Sequence, residues 1–283
     1  MERWIGRWLQ EQTGQRARRS AVSTTGAKPW VRGDDSAVCP VPEDERAWIE
    51  QRLDWCVAQF GEAALRRDIV LPGPRFAPPG FDGTQEQTEE LVAAVCAVMG
   101  VEAQSLTVHL FESSGSERER RHVVGTYRRV LGRSLIELDR SEAVRPVGFT
   151  GVIAHELAHV RLLGEGRIDS GEEDGERLTD LLTVFLGMGI FTANSAYRFP
   201  RSPAAQGYTV RPLGNLTDRM LTGLAANEPS YHTGYLRERE FGYALAYWCV
   251  LRGEHEPDWT GRLEAGVRDV LIRGLAFLAA RPG

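Results

Sequence analysis

Apolar residues recur along this chain first at helical and then at strand spacing. From Pro42 onward Ile49, Leu53, Val57 and Phe60 fall about one turn apart and Gly61 offers a stop, so the spacing predicts an amphipathic helix. The stretch from Leu71 to Gly83 is rich in proline and glycine and predicts an irregular connection. A second helix is marked by Thr84 with Gln87 three residues on, the pattern of a capping box, and its apolar side runs through Leu91, Val95, Val98 and Met99 to Gly100. Leu106 to Glu112 then alternates β-branched, aromatic and polar residues and reads as a strand, with His109 in its middle as an ordinary structural histidine. After a polar loop from Ser113 to Arg121, Val123–Val130 and Ser134–Asp139 make two further strands about Leu131-Gly132-Arg133, a predicted hairpin.

Helical spacing returns with Val152-Ile153-Ala154-His155-Glu156-Leu157-Ala158-His159-Val160. It continues in the strongly apolar run from Leu181 to Ala193, which reads as a buried helix too short to span a bilayer. Towards the end, Leu236 to Leu251 and the row Val267, Val270, Leu271, Leu275, Leu278 predict two amphipathic helices whose stripes are core. No repeat of 20 to 50 residues is visible, which excludes solenoids and propellers.

Composition narrows the class. With 42% hydrophobic and 26% charged residues the 283-residue chain has the makeup of a folded globular protein, as one large domain or two packed subdomains. Its net charge of −5 is spread along the chain, so no overall field favours nucleic acid or a membrane surface. The Arg16, Arg18 and Arg19 cluster lies in an irregular segment over residues 11–42 and reads as solvated. The first nine residues lack the apolar core of an export signal. Cys39, Cys56, Cys96 and Cys249 form no CxxC pair, so they read as buried thiols, and a cytoplasmic protein is expected.

The chemistry is carried by His155-Glu156-Leu157-Ala158-His159. Histidines at i and i+4 lie one helical turn apart on one face, so both imidazoles can reach a single ion, while Glu156 between them is free to serve as general base. Zinc that keeps one position open for water needs a third protein ligand. Glu172, Glu173, Asp174, Glu176 and Asp180 all follow within reach. Glu176 and Asp180 are one turn apart at the head of the apolar helix, so one carboxylate can meet the metal and the other can orient a ligand histidine.

The HELAH segment followed by Glu176-x-x-x-Asp180 resembles the gluzincin, or thermolysin-like, metallopeptidases over roughly residues 150–187. The resemblance implies His155, His159 and Glu176 as zinc ligands, Glu156 as catalytic base and Asp180 as the partner that orients His155. It also implies a cleft bordered by an edge strand, for which Ser134–Asp139 is the candidate, and a Tyr or His from the C-terminal part to stabilise the oxyanion. Tyr231, His232 and Tyr235 are the candidates there, with Tyr235 and His232 preferred, and His255 reads as a solvated loop residue. The third histidine that metzincins require would fall at position 165, which is Glu.

The expected fold is therefore α+β, mainly α. A small antiparallel sheet packs on the HExxH helix and on the helix bearing Glu176, with flanking helices at both ends. The expected divisions are an N-terminal arm (1–42), a helical region (43–105), a metalloprotease-like core (106–200) and a C-terminal helical region (201–283). The expected function is zinc-dependent hydrolysis of amide bonds in a peptide or protein substrate, with no nucleic-acid or membrane partner. The alternative is a non-catalytic regulatory or binding module on the same fold. Substrate and oligomeric state are not legible.

Overall fold

Thr84 caps its helix as the pattern predicts, its hydroxyl accepting from the Gln87 amide at 3.4 Å, but Gln87 returns the contact to the Asp82 amide (2.9 Å) rather than to Thr84. The helix, α3, runs Gln85–Met99 and stops at Gly100 in the left-handed conformation. The computed structural model describes residues 38–112, 124–198, 231–232 and 236–281. Ahead of α3 lie α1 (Glu43–Phe60) and the single turn α2 (Glu62–Leu65). Three strands follow: β1 (Leu106–Phe111), β2 (Gly125–Val130) and β3 (Arg133–Asp139). Next come α4 (Pro146–His159), α5 (Gly175–Phe185), the short α6 (Gly189–Ala193), and the two-residue strands β4 (Tyr197–Arg198) and β5 (Tyr231–His232). The helices α7 (Glu238–Arg252) and α8 (Ala265–Ala280) complete the described chain. The protein is α+β and mainly helical, as its periodicities predict.

The sheet has the order β1-β3-β2. The hairpin forms with a tighter turn than expected, Leu131-Gly132, both at positive φ (49° and 81°), the geometry that matches strand twist in two-residue loops. The sheet is mixed rather than antiparallel, because β1 runs parallel to β3 while β2 runs antiparallel to it. Ser134–Asp139 is therefore the central strand, paired on both sides, and not the expected edge. Among the described residues the two edges are β1 and β2, and backbone pairing has consumed the polar groups of β3 that an incoming strand would need. His109 lies in β1 on the exposed side of the sheet, 3.5 Å from Glu137, away from the motif, consistent with a structural role.

Ile136 and Leu138 alternate inward from β3 and are fully buried against α4. That helix is itself buried along Phe149, Val152, Ile153, Ala154, Leu157 and Ala158, so it is the centre of the core rather than a surface element. The sheet packs chiefly on α4, and the glutamate-bearing α5 also packs on α4 instead of lying under the sheet. The buried run from Leu181 to Ala193 is two helices, not one. Gly187 adopts φ 88°, and a Cβ there would sit 2.8 Å from the Asp68 carbonyl oxygen, so the chain turns at the only residue that fits. Behind α5, α1 buries Ile49, Leu53 and Cys56 against α5 and α7, and α8 packs along α7. All four cysteines are free, three of them buried. Among the described residues no helix is long and apolar enough to cross a membrane.

Candidate metal centre

Pro146 starts α4 at a position where its missing N–H costs nothing, and the helix carries His155, Glu156 and His159 into the interior. His159 is its last residue. The next five, Val160–Gly164, widen into a π-turn before the chain leaves towards α5. From α5, Glu176, Thr179 and Asp180 face the two histidines.

Each imidazole is held by its Nδ1 atom. His155 Nδ1 lies 2.8 Å from Asp180 Oδ1, and since a carboxylate only accepts, the proton sits on that nitrogen. The other Asp180 oxygen accepts from the Leu236 amide at 2.9 Å, so this buried carboxylate ties α5 to both α4 and the lead-in to α7. His159 Nδ1 is 3.3 Å from the Thr179 hydroxyl, whose single proton goes to the Gly175 carbonyl oxygen at 2.8 Å. The hydroxyl must therefore accept, and His159 also carries its proton on Nδ1.

Both Nε2 atoms are thereby left with lone pairs, and both stand 3.3 Å from the same oxygen, Glu176 Oε2. Three lone pairs facing one another repel unless a cation lies among them. One ligand atom from each of His155, His159 and Glu176 falls within 4.8 Å of the others, and two imidazoles with one carboxylate make a donor set that suits zinc. Without a metal, a proton takes the part of the cation. Burial pulls the His155 imidazole down, but its bonds to Asp180 and Glu176 outweigh that and hold it well above the ordinary histidine value. Burial pushes the Glu176 carboxyl up, but its bonds to the two histidines bring it far below the usual carboxylate range.

Glu156 is only 5% exposed, and its Oε2 atom is buried with no hydrogen-bond partner in the described structure. Burial raises its proton affinity, partly offset by the neighbouring histidines. An orphaned buried carboxylate oxygen beside a set of converging ligand atoms is the mark of a group held ready for a species that is not protein. The remaining acidic candidates are engaged elsewhere or exposed. Glu172 pairs with Arg52, Asp174 accepts from the Trp48 indole, and Glu173 faces solvent. His255 is exposed in its loop. His232 is described by its backbone alone, paired with Tyr197 in the β4–β5 ladder. Tyr235 lies outside the described residues.

Sequence reasoning missed the role of β2. The Asp139 amide donates to the Val124 carbonyl oxygen at 3.0 Å, which sets the phase of the β2–β3 ladder. Thr126 and Arg128 bond to β3, while Gly125, Tyr127 and Arg129 aim their backbone N–H and C=O groups at the free edge. The side chains of Tyr127 and Arg129, and the place a Cβ would take on Gly125, lie on the α4 side. A Cβ on Gly125 would lie 2.6 Å from Glu156 Oε1, Tyr127 stacks on His159 with centroids 6.1 Å apart, and Arg129 reaches the Gly164 carbonyl oxygen. β2 thus runs alongside the motif helix in step with it. The one available signal was a glycine at the start of a strand, which marks close backbone approach.

No protein-family model, curated protein or solved structure matches this chain.

Proposed function

We propose that the chain is a cytoplasmic zinc-dependent peptidase of the gluzincin type. The reading is supported chiefly by the two imidazoles, each fixed as its Nδ1–H tautomer, that turn their Nε2 lone pairs on one Glu176 oxygen. His155, His159 and Glu176 would hold the metal, with Asp180 and Thr179 keeping the rings in register. Bound there, zinc supplies Lewis acidity, which lowers the pKa of water towards about 7 and polarises a carbonyl oxygen.

The protein groups do the rest. An extended substrate lies along the free edge of β2, where the outward N–H and C=O groups of Gly125 and Tyr127 fix its backbone. Glu156, desolvated and unpaired, accepts a proton from the attacking water as the oxygen bonds to the carbonyl carbon. It then delivers that proton to the amide nitrogen as the C–N bond breaks. Its burial suits it to both halves of that transfer. Four free thiols support a reducing compartment.

Elemental analysis of protein purified without chelators should find about one zinc per chain, and Glu156→Gln should retain it while kcat falls about 10²- to 10⁴-fold. A chain that takes up no metal, or a Gln variant that cleaves as fast as the parent, overturns the reading.

A further inference from the structure

We infer that β2 selects its substrate by charge: the edge takes an extended peptide with an acidic residue about four positions from the cleaved bond, and Arg129 is the residue that reads it. The inference rests on the peptidase reading above and adds a substrate class to it.

The argument follows the strand. Gly125, Tyr127 and Arg129 are the residues whose backbone groups face the free edge; on the α4 side the Gly125 backbone lies against Glu156, the Tyr127 side chain against His159, and the Arg129 side chain reaches Gly164. A peptide added at this edge keeps the pleat, so the residue opposite Arg129 points to the same side as Arg129 and is about four positions from the one beside Glu156, a span of about 13 Å. Directly opposed side chains on such a ladder have Cβ atoms about 5 Å apart, within reach of an ion pair.

Arg129 is free to make that pair. It is exposed, and its only hydrogen bond among the described residues is the 3.4 Å contact with the Gly164 carbonyl oxygen. No carboxylate among the described residues pairs with it, whereas Arg128, on the opposite face of the strand, is neutralised by Glu137. A guanidinium anchored through one N–H to a backbone carbonyl keeps its other donors for a carboxylate. A basic residue at the same position of a peptide meets only like charge.

The test is equilibrium binding by fluorescence polarisation to the full zinc-loaded chain, using two extended peptide pools. They are identical except for Asp/Glu or Asn/Gln at each position in turn. The acidic pool should bind about tenfold more tightly when the acid stands at one fixed position, and added salt should erode the difference. Arg129→Glu should transfer the preference to Lys/Arg peptides. Arg128→Glu, on the other face, should leave the position of the preference unchanged. Equal binding of the two pools, a preference that survives Arg129→Glu, or no binding of either pool overturns the inference. Cleavage of the bound peptides is scored separately: binding with the acidic preference but no hydrolysis refutes the peptidase reading and leaves the charge selection standing.

Discussion

Two helix pairs in this protein are held together by opposite means. α7 and α8 meet through apolar surfaces brought close by glycine. A Cβ on Gly242 would lie 2.6 Å from Val270 Cβ, and one on Gly274 would lie 2.8 Å from Ala246 Cβ, so the backbones approach where there is no side chain to hold them apart. Trp248 fills the space beneath, fully buried, with its indole N–H on the Phe185 carbonyl oxygen. α4 and α5 are more deeply buried than α8, and they bring Glu156, Thr179, Asp180 and Thr183 into the interior with two histidines. Burying such groups is costly unless each is paired, and the pairing here is complete except at the point where the Nε2 atoms, Glu176 and Glu156 converge. One pair is satisfied by the chain itself; the other leaves converging ligand atoms and the Glu156 Oε2 atom without a partner among the described residues.

The comparison breaks first at Trp248. Trp248→Ala should cost about 3–5 kcal/mol of stability, read as a lower denaturant midpoint, while the folded fraction still binds zinc stoichiometrically. Equal loss of metal affinity would show the two pairs to be one unit. Asp180→Ala should do the reverse. Zinc affinity, measured by chelator competition, should fall about 10- to 100-fold, with a smaller loss of stability from the unpaired Leu236 amide. Thr179→Val removes the acceptor for His159 Nδ1 together with the hydroxyl's bond to the Gly175 carbonyl oxygen, and an affinity loss of about tenfold or less is expected.

The smallest effect is in pH. In the metal-free protein the raised His155 value means that the imidazolium, held by Asp180 and Glu176, stabilises the fold fully below about pH 6.5, the ordinary value, and that this is lost as pH rises through the higher folded-state value. Zinc needs the neutral ring, so its binding strengthens over the same span. The rise in Tm on adding zinc should therefore be larger at pH 8.5 than at pH 6. A rise that shrinks towards alkaline pH would remove the proton from its role as stand-in for the metal.

Local pattern made much of this legible. The i, i+4 histidines and the Glu176/Asp180 pair are statements about helical periodicity, and α4 and α5 keep those residues on the facing sides that the spacing requires. The helix ends at Gly61 and Gly100 and the hairpin turn at Gly132 follow from glycines that tolerate unusual backbone angles. The break at Gly187 was less legible, because a glycine in a buried run reads as helix until the Asp68 carbonyl lies against it.

What the chain alone determined, then, is which residues have ligand chemistry and which local segments carry them, since both depend on neighbours a few positions away. Which strand became the edge, and that Thr179 sets the His159 tautomer, were decided only in three dimensions. Those outcomes depend on which distant backbone groups pair first with one another, as when β1 takes the side of β3 and leaves β2 open beside Glu156. Hydrogen-bond phase and burial are properties of the assembled sheet and helices, and no spacing along a single chain encodes them directly.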